Sequence, residues 1–383
     1  MASPLVSVIV PTRERVKTLA YTLATALDQQ SEDFEVVVSD NASEDGTEEL
    51  VRGIDDSRLR YFQTSHRLSM CDNYEFALEQ ARGDYVIFVG DDDAVMPGGI
   101  DFLLSRLGAR NDLITHMWPL HIYDWPGEGS PPKIAQLSPQ GEEAVLDLKA
   151  MARSVMRLGG WRYYRLPSPY HCAVPRSILD SIRTRTGRVF HSTQPDVFTA
   201  MAIPAFADIA VRLGRTVTLH GRSSASNGHD FAKRAGRSNI DRFISEYGDY
   251  QFHPSLFPGV AASANMIPDA VLRAKDMFPE LYDTVSFDYS AMWAYVHRHR
   301  FVTIREVLKH SASIKRMHPL KVGRFLGFAG IHQIAAVRRT ILDLFSSNRR
   351  TEPVAETIQG FVHQLSRPAN SRADDAVRRS ASN

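Results

Sequence analysis

The sequence is poor in the features that mark the commonest cofactor and membrane classes. Its 383 residues include two cysteines, Cys71 and Cys172, with no CxxC or Cys/His ligand spacing. That argues against a structural zinc site and leaves room for one disulfide at most. No G-x-G-x-x-G follows the first apolar run, where the turn "PTRERVKT" has no glycine, and G-x-x-x-x-G-K-[ST] is missing throughout. A dinucleotide fingerprint and a P-loop are therefore both excluded. No stretch reaches the ~18–20 apolar residues that span a bilayer. The start, "MASPLVSVIVPTRER", lacks a basic region followed by an apolar core and a small-residue cleavage site, so a cytoplasmic protein is expected. An excess of one charge is missing too: 45 Lys and Arg stand against 44 Asp and Glu. Nucleic acid is not an expected partner.

Apolar runs of strand length are present, and helical patterns separate them. "LVSVIVPT" (5–12), "FEVVVSD" (34–40), "LRYFQT" (59–64) and "DYVIFVG" (84–90) read as strands, the β-branched ones as buried on both faces. Val16, Leu19, Leu23 and Leu27 recur at helical spacing, Glu48 to Arg52 opens a second helix, and "CDNYEFALEQARG" predicts a third that stops at Gly83. This alternation predicts an α/β fold, a mostly parallel sheet flanked by helices. A helix is expected around 142–158, a strand at "YHCAVP" (170–175), helices from Arg176 and at 195–205, and one strand over "VRLGRTVTLHG" (211–221). Beyond about 240 the pattern is helical, and the tail from 346 is expected to be flexible apart from a short helix at 353–365.

In parallel sheets, ligands gather beyond the carboxyl ends of the strands. Three polar clusters fall there: Thr12–Arg15, Asp40–Asp45 and Asp91–Asp93. Three consecutive acids after a buried strand repel one another. A solvated turn, a catalytic carboxylate pair and a divalent-cation site are the uses open to them. Mg²⁺ or Mn²⁺ bound through one or two carboxylates plus substrate phosphates would offset the repulsion. With no glycine-rich loop available, metal and side chains would hold those phosphates. Asp40 could accept a pyrimidine N–H, or close an Asx turn with Ser43. Arg67 could pair with a phosphate or lie exposed in its loop. Asp196 follows Pro195, a helix-start signal, so it suits both a cap and a general base. In "GRSSASNGHDF" (221–231) Arg222 or His229 could touch phosphate or metal, and a surface histidine is the plainer alternative.

Taken in order, "VSVIVPTRER", "FEVVVSDNASEDGT" and "ARGDYVIFVGDDD" resemble the nucleotide-binding half of family-two glycosyltransferases, closely over 5–105 and more loosely over 165–230. The resemblance implies a GT-A (Rossmann-like) fold with a helical C-terminal extension. It divides the chain into a nucleotide-sugar half (1–110), an acceptor half (111–235), a helical region (236–345) and a tail (346–383). It implies a nucleotide pocket lined by Pro11, Thr12, Arg13 and Glu14, with Asp40 binding the nucleobase. Asp91 would face ribose or metal, Asp92 would stand beside it, and Asp93 would be the direct metal ligand. Asp196 would be the base, although Pro195 stands where the family usually has a glutamate. The implied activity is an inverting, metal-dependent transfer from a UDP-sugar to a glycan or lipid-linked saccharide in surface polysaccharide synthesis. Two alternatives remain. A sugar-nucleotide pyrophosphorylase would want a basic glycine-rich loop after the first strand, and a non-catalytic binding module of the same fold would lack a working base.

Residues 293–350 carry twelve Lys and Arg against Glu306 and Asp343, around the apolar "FLGFAGIHQIAAV" (325–337). This stretch could rest on an anionic membrane surface as a peripheral anchor, or pack as a helical subdomain with a solvated basic face.

Overall fold

The computed structural model describes residues 3–107, 114–127, 131–224, 242–256, 262–298 and 354–366, with Gly327. Four runs near the N-terminus form one half of an eight-stranded sheet, buried except for the half-exposed edge strand β3: β1 (Val6–Thr12), β2 (Phe34–Asp40), β3 (Leu59–Gln63) and β4 (Tyr85–Phe88). Between them lie α1 (Val16–Leu27), α2 (Thr47–Arg52) and α3 (Met70–Gln80). The four strands are parallel in the order β3-β2-β1-β4, as the alternation predicts. After β4 come β5 (Ala94–Val95), α4 (Gly99–Arg106), β6 (Thr115–Met117), β7 (Ile122–Asp124), β8 (Lys133–Gln136) and β9 (Ala144–Asp147). Then follow α5 (Leu148–Arg157), β10 (Cys172–Pro175), α6 (Arg176–Thr186), α7 (Pro195–Ala202), β11 (Ile209–Arg212) and β12 (Thr218–Arg222). The large sheet continues from β4 as β10-β6-β11-β9, and β5-β12-β7-β8 make a second sheet. Helices α8 (Ala262–Met277), α9 (Pro279–Tyr282), α10 (Tyr289–Arg298) and α11 (Ile358–Ser366) complete the described chain.

Apolar side chains fill both faces of the large sheet. Val8, Val10, Val36 and Val38 meet Leu19, Leu23, Ile100 and Leu103 on one side. Ile9, Val37, Val86 and Phe88 meet α3, α5, α6, α7 and α8 on the other. Each buried Val or Leu contributes about 1.5–3 kcal/mol, which fixes the register and so places the strand ends.

Three local expectations are corrected. The start of the helix expected around 142–158 is instead β9, an edge strand antiparallel to β11, and the helix begins at Leu148, where the Asp147 carboxylate caps Ala150 N–H at 2.9 Å. The single strand expected over 211–221 is two strands in different sheets, because the chain turns at Gly214 and buries Leu213 and Val217 at the corner. Helix α3 ends at Ala81, which turns to an extended conformation two residues before Gly83. Within the stretch expected to be a flexible tail, α11 packs with Ile358, Phe361 and Val362 buried. His229 lies outside the described residues, and so does most of the basic stretch 293–350. Among the described residues no helix is long and apolar enough to cross a membrane.

Candidate active site

The strand order places β2 on one side of β1 and β4 on the other. The chain therefore reverses direction across the sheet between β1 and β4, and the crevice beyond their carboxyl ends is the expected ligand position. Thr12 closes β1 there, and Asp91 follows two residues after Val89, whose N–H is still bonded to Ile9 of β1. Four non-glycine residues with positive φ flank this edge: Glu14 (55°), Ala42 (52°), His171 (60°) and Ser192 (69°). Each costs about 1–2 kcal/mol, and such strain collects at functional sites.

The three aspartates have three different surroundings. Asp91 accepts from Thr12 Oγ1 at 2.8 Å and from Arg15 Nη1 at 2.9 Å, one bond on each oxygen. Burial alone would lower the pKa of the Arg15 guanidinium, but Asp91 and Asp92 outweigh it and raise it. Asp93 is wholly buried. Its Oδ2 accepts from Gly90 N at 2.6 Å and Tyr170 OH at 2.8 Å, and lies 3.1 Å from His171 Nε2. Its Oδ1 accepts from Gly221 N at 2.7 Å and meets His220 Nδ1 at 3.1 Å. Burial would raise its pKa, yet the charges of His171 and His220 win and hold it well below the usual carboxylate range. Asp92 has no such partner. Its Oδ2 accepts from Ser223 N at 3.0 Å, and burial, then Asp93 and Asp91, push its pKa up to about 6.

Asp93, His171 and His220 bring three ligand atoms within 4.8 Å of one another. His171 Nε2 is close to Asp93 but not aligned as a hydrogen bond, and it is buried. Its other nitrogen, Nδ1, meets Thr218 Oγ1 at 2.8 Å. Burial lowers the His171 pKa, whereas at His220 the attraction of Asp93 overcomes burial and raises it. The His220 side chain is 29% exposed, and no described residue bonds its Nε2. This donor set is chemically able to hold a divalent cation.

Asp196 lies in the first turn of α7. Burial raises its pKa, against the amides of Val197 and Asp196 and the charge of His220. Tyr74 senses Asp196, Asp93 and Asp91 together. The sequence-predicted base and the aspartate loop therefore share one electrostatic environment.

Elsewhere the predicted residues are engaged with one another. Asp40 is fully buried and forms the Asx turn, accepting from Ser43 N at 3.0 Å, and it also accepts from Tyr61 OH at 2.7 Å and Gln63 Nε2 at 3.2 Å. Arg67 pairs with Glu14 at 2.8 Å and Arg13 with Glu246 at 2.8 Å. Pro11 sits opposite Ser39 in the β1–β2 register. Arg222 is bonded to Asp124 at 2.6 Å. His191 bonds within its own loop, and burial followed by Arg188 pushes its pKa down to about 4.

Sequence reasoning missed Arg15, Tyr170, His171 and His220. Arg15 stood inside a recognised motif. The two histidines and the tyrosine sit in the strand-like runs "YHCAVP" and "TLHG", where such residues look like core.

Residues 7–158 match the model of the family described as "Glycosyl transferase family 2". The chain is 34% identical over 106 residues to the GalNAc(5)-diNAcBac-PP-undecaprenol beta-1,3-glucosyltransferase of Campylobacter jejuni, covering 27% of this chain and 34% of that protein. It is 32% identical over 114 residues to the abequosyltransferase RfbV of Salmonella typhimurium, covering 28% and 34%. The chain thus spans about a third of the length of these curated relatives. A solved structure of S. aureus TarS 1-349 in complex with UDP-GlcNAc has TM-score 0.48 and 18% identity, over 77% of this chain and 80% of that one. The similarity to glycosyl transferase family 2 thus falls on residues 7–158, which hold β1, the aspartate loop and the strands around them.

Proposed function

We propose that the protein is an inverting glycosyltransferase that moves a sugar from a UDP donor to a glycan or lipid-linked saccharide in surface polysaccharide synthesis, with Mg²⁺ or Mn²⁺ at the diphosphate. The observation that carries this reading is the meeting of three differently compensated aspartates at the β1/β4 crevice with Asp196 in the same electrostatic environment. Asp91 has Arg15, and Asp93 has two histidines. Asp92 alone keeps an oxygen, Oδ1, that accepts from no described residue.

Asp92 Oδ1 and His220 Nε2 are the groups we assign to the cation. A cation held on Asp93 and His171 would be sealed from a diphosphate, since Asp93 has no exposure and its oxygens already take Gly90, Gly221 and Tyr170. In this assignment Asp93 holds His220 by Nδ1, the support that metal-binding histidines usually receive. When bound, the cation would neutralise charge on the departing diphosphate.

Asp196 would take the proton of the acceptor hydroxyl while that oxygen bonds to the anomeric carbon and the bond to the diphosphate breaks on the opposite face. The raised pKa brings this carboxylate nearer working pH, as a general base needs. Arg13 and Arg67 now face Glu246 and Glu14, and a diphosphate could replace either carboxylate in the guanidinium fork. A uracil N–H would displace Gln63 from Asp40, the longest of its three bonds. A lipid-linked acceptor is supported by the Campylobacter relative, whose name specifies an undecaprenol diphosphate saccharide.

Asp196→Asn tests the reading. It should bind UDP-sugar and Mn²⁺ as the parent does while losing about 10²–10⁴-fold in turnover. Pyrophosphate release from a nucleoside triphosphate and a sugar phosphate would point to a pyrophosphorylase instead. Binding without any turnover in the parent would leave a binding module.

A further inference from the structure

The segment 354–366 lies more than 250 residues beyond the aspartate loop in sequence, yet it packs directly behind it. Ile358, Phe361 and Val362 are buried against Ala94, Leu219 and Tyr123. Phe361 stacks on Tyr123 at 5.2 Å and 26°, and the Tyr123 hydroxyl donates to Ala355 O at 2.9 Å. The Tyr123 ring meets Trp125 edge-on at 5.7 Å, and Trp125 Nε1 donates to the backbone carbonyl of Asp92 at 2.8 Å. The other side of that carbonyl is closed by Gly221, where an added Cβ would lie 1.7 Å from it. One residue on, the Asp93 carbonyl accepts from Thr22 Oγ1 of α1 at 2.8 Å.

We propose that Trp125 is a positioning residue for Asp92, and that the C-terminal segment 354–366 sets it by clamping Tyr123 through Phe361. The chain of contacts runs from Phe361 to Tyr123, to Trp125, to the Asp92 peptide. That chain pins the Asp92 carbonyl through Trp125, Thr22 of α1 pins the Asp93 carbonyl, and the orientation of the Asp92 carboxylate follows from its peptide. Only the consequence for cation affinity rests on the function proposed above; the brace itself does not.

The test uses the full chain with Trp125→Phe, which keeps a ring against Tyr123 and deletes the N–H, and with Phe361→Ala. Groups that orient a metal ligand typically change affinity about 10–100-fold when removed. Titration calorimetry should therefore show Mn²⁺ affinity falling about tenfold in both variants, with Phe361→Leu restoring most of it. Hydrogen exchange of the peptide covering 89–96 should speed up in Trp125→Phe and Phe361→Ala, with β1 and β2 unchanged. If exchange of that peptide stays at the parent rate, or if both variants only lower the melting temperature at parental Mn²⁺ affinity, the positioning role is overturned. Parental Mn²⁺ affinity in Asp92→Asn, with exchange faster in Trp125→Phe, would overturn the cation assignment and leave the brace standing.

Discussion

Replacing Asp93 by Asn separates an anchor from a ligand. The amide keeps the shape, removes the charge and turns one acceptor into a donor. Whichever oxygen is exchanged, a backbone N–H faces the new NH₂: Gly221 at the Oδ1 position, 2.7 Å away, or Gly90 at Oδ2, 2.6 Å away. One buried amide is then left against a donor, which costs about 1–3 kcal/mol. His171 and His220 also lose their counter-charge, and breaking a buried pair costs about 3–5 kcal/mol in all. Both histidines can relax by staying neutral, so the lower end applies, about 3 kcal/mol. Asp93 is fully buried, so solvent screening does not reduce this figure. Urea unfolding followed by circular dichroism in EDTA reads the loss without any contribution from metal. The midpoint should fall by about 1 M or more at constant slope. A variant within about 1 kcal/mol of the parent in EDTA, with Mn²⁺ binding abolished, would make Asp93 a direct ligand and refute this reasoning.

Asp92 makes a prediction about pH. Its folded pKa of about 6 lies above the ordinary 3.8, so the native state binds the extra proton, and stability falls as pH rises through that window. Mn²⁺ should then raise the melting temperature at pH 7 and do little at pH 4.5; equal stabilisation at both would remove Asp92 from the cation site. Asp40→Ala should weaken uridine nucleotides more than pyrophosphate, whereas equal losses would mean that Asp40 only shapes its turn. If 293–350 is an interfacial anchor, the protein should sediment with anionic vesicles at low salt and be released at high salt, since each basic residue contributes about 1 kcal/mol before screening. Indifference to vesicles, with a lower melting temperature on replacing Lys315, Arg316, Lys321 and Arg324 by Gln, would mark a packed subdomain.

The parallel core was legible because it is local. The runs at 5–12, 34–40 and 84–90 are buried on both faces, so hydrophobicity alone marks them, and the polar residues that end them fall at the crevice without knowledge of the tertiary contacts. The second sheet was not legible. Its strands are two to five residues long, and β5 pairs with β12 across more than 120 residues. Nor could the sequence tell β9 from the first turn of α5, since Val145 lies on an edge strand and is 69% exposed, leaving no buried alternation to read. The histidines were hidden for the opposite reason: each lies in an apolar run, and only the fold brings His171 and His220 to the same carboxylate, 78 and 127 residues away from it.

Three acids in a row after a buried strand are tolerable only if each finds its own compensation. Asp91 finds it on the neighbouring strand of the sheet, where the turn after β1 delivers Thr12 and Arg15, 79 and 76 residues earlier in the chain, to one carboxylate. Asp93 finds it at long range, where β12 supplies an amide and His220, and the approach to β10 supplies Tyr170 and His171. These compensations use up the cations nearby. Arg222, the next candidate, is held by Asp124, and Arg13 and Arg67 are held by glutamates. Asp92 is left between two charged neighbours with two polar bonds to its backbone and side chain, from Trp125 and Ser223, and only the attraction of Arg15, which already pairs with Asp91, as counter-charge. Evenly shared compensation would have made a stable turn. Concentrating it on the outer two acids leaves the middle one, on the function proposed above, as the place where a divalent cation gains most from binding.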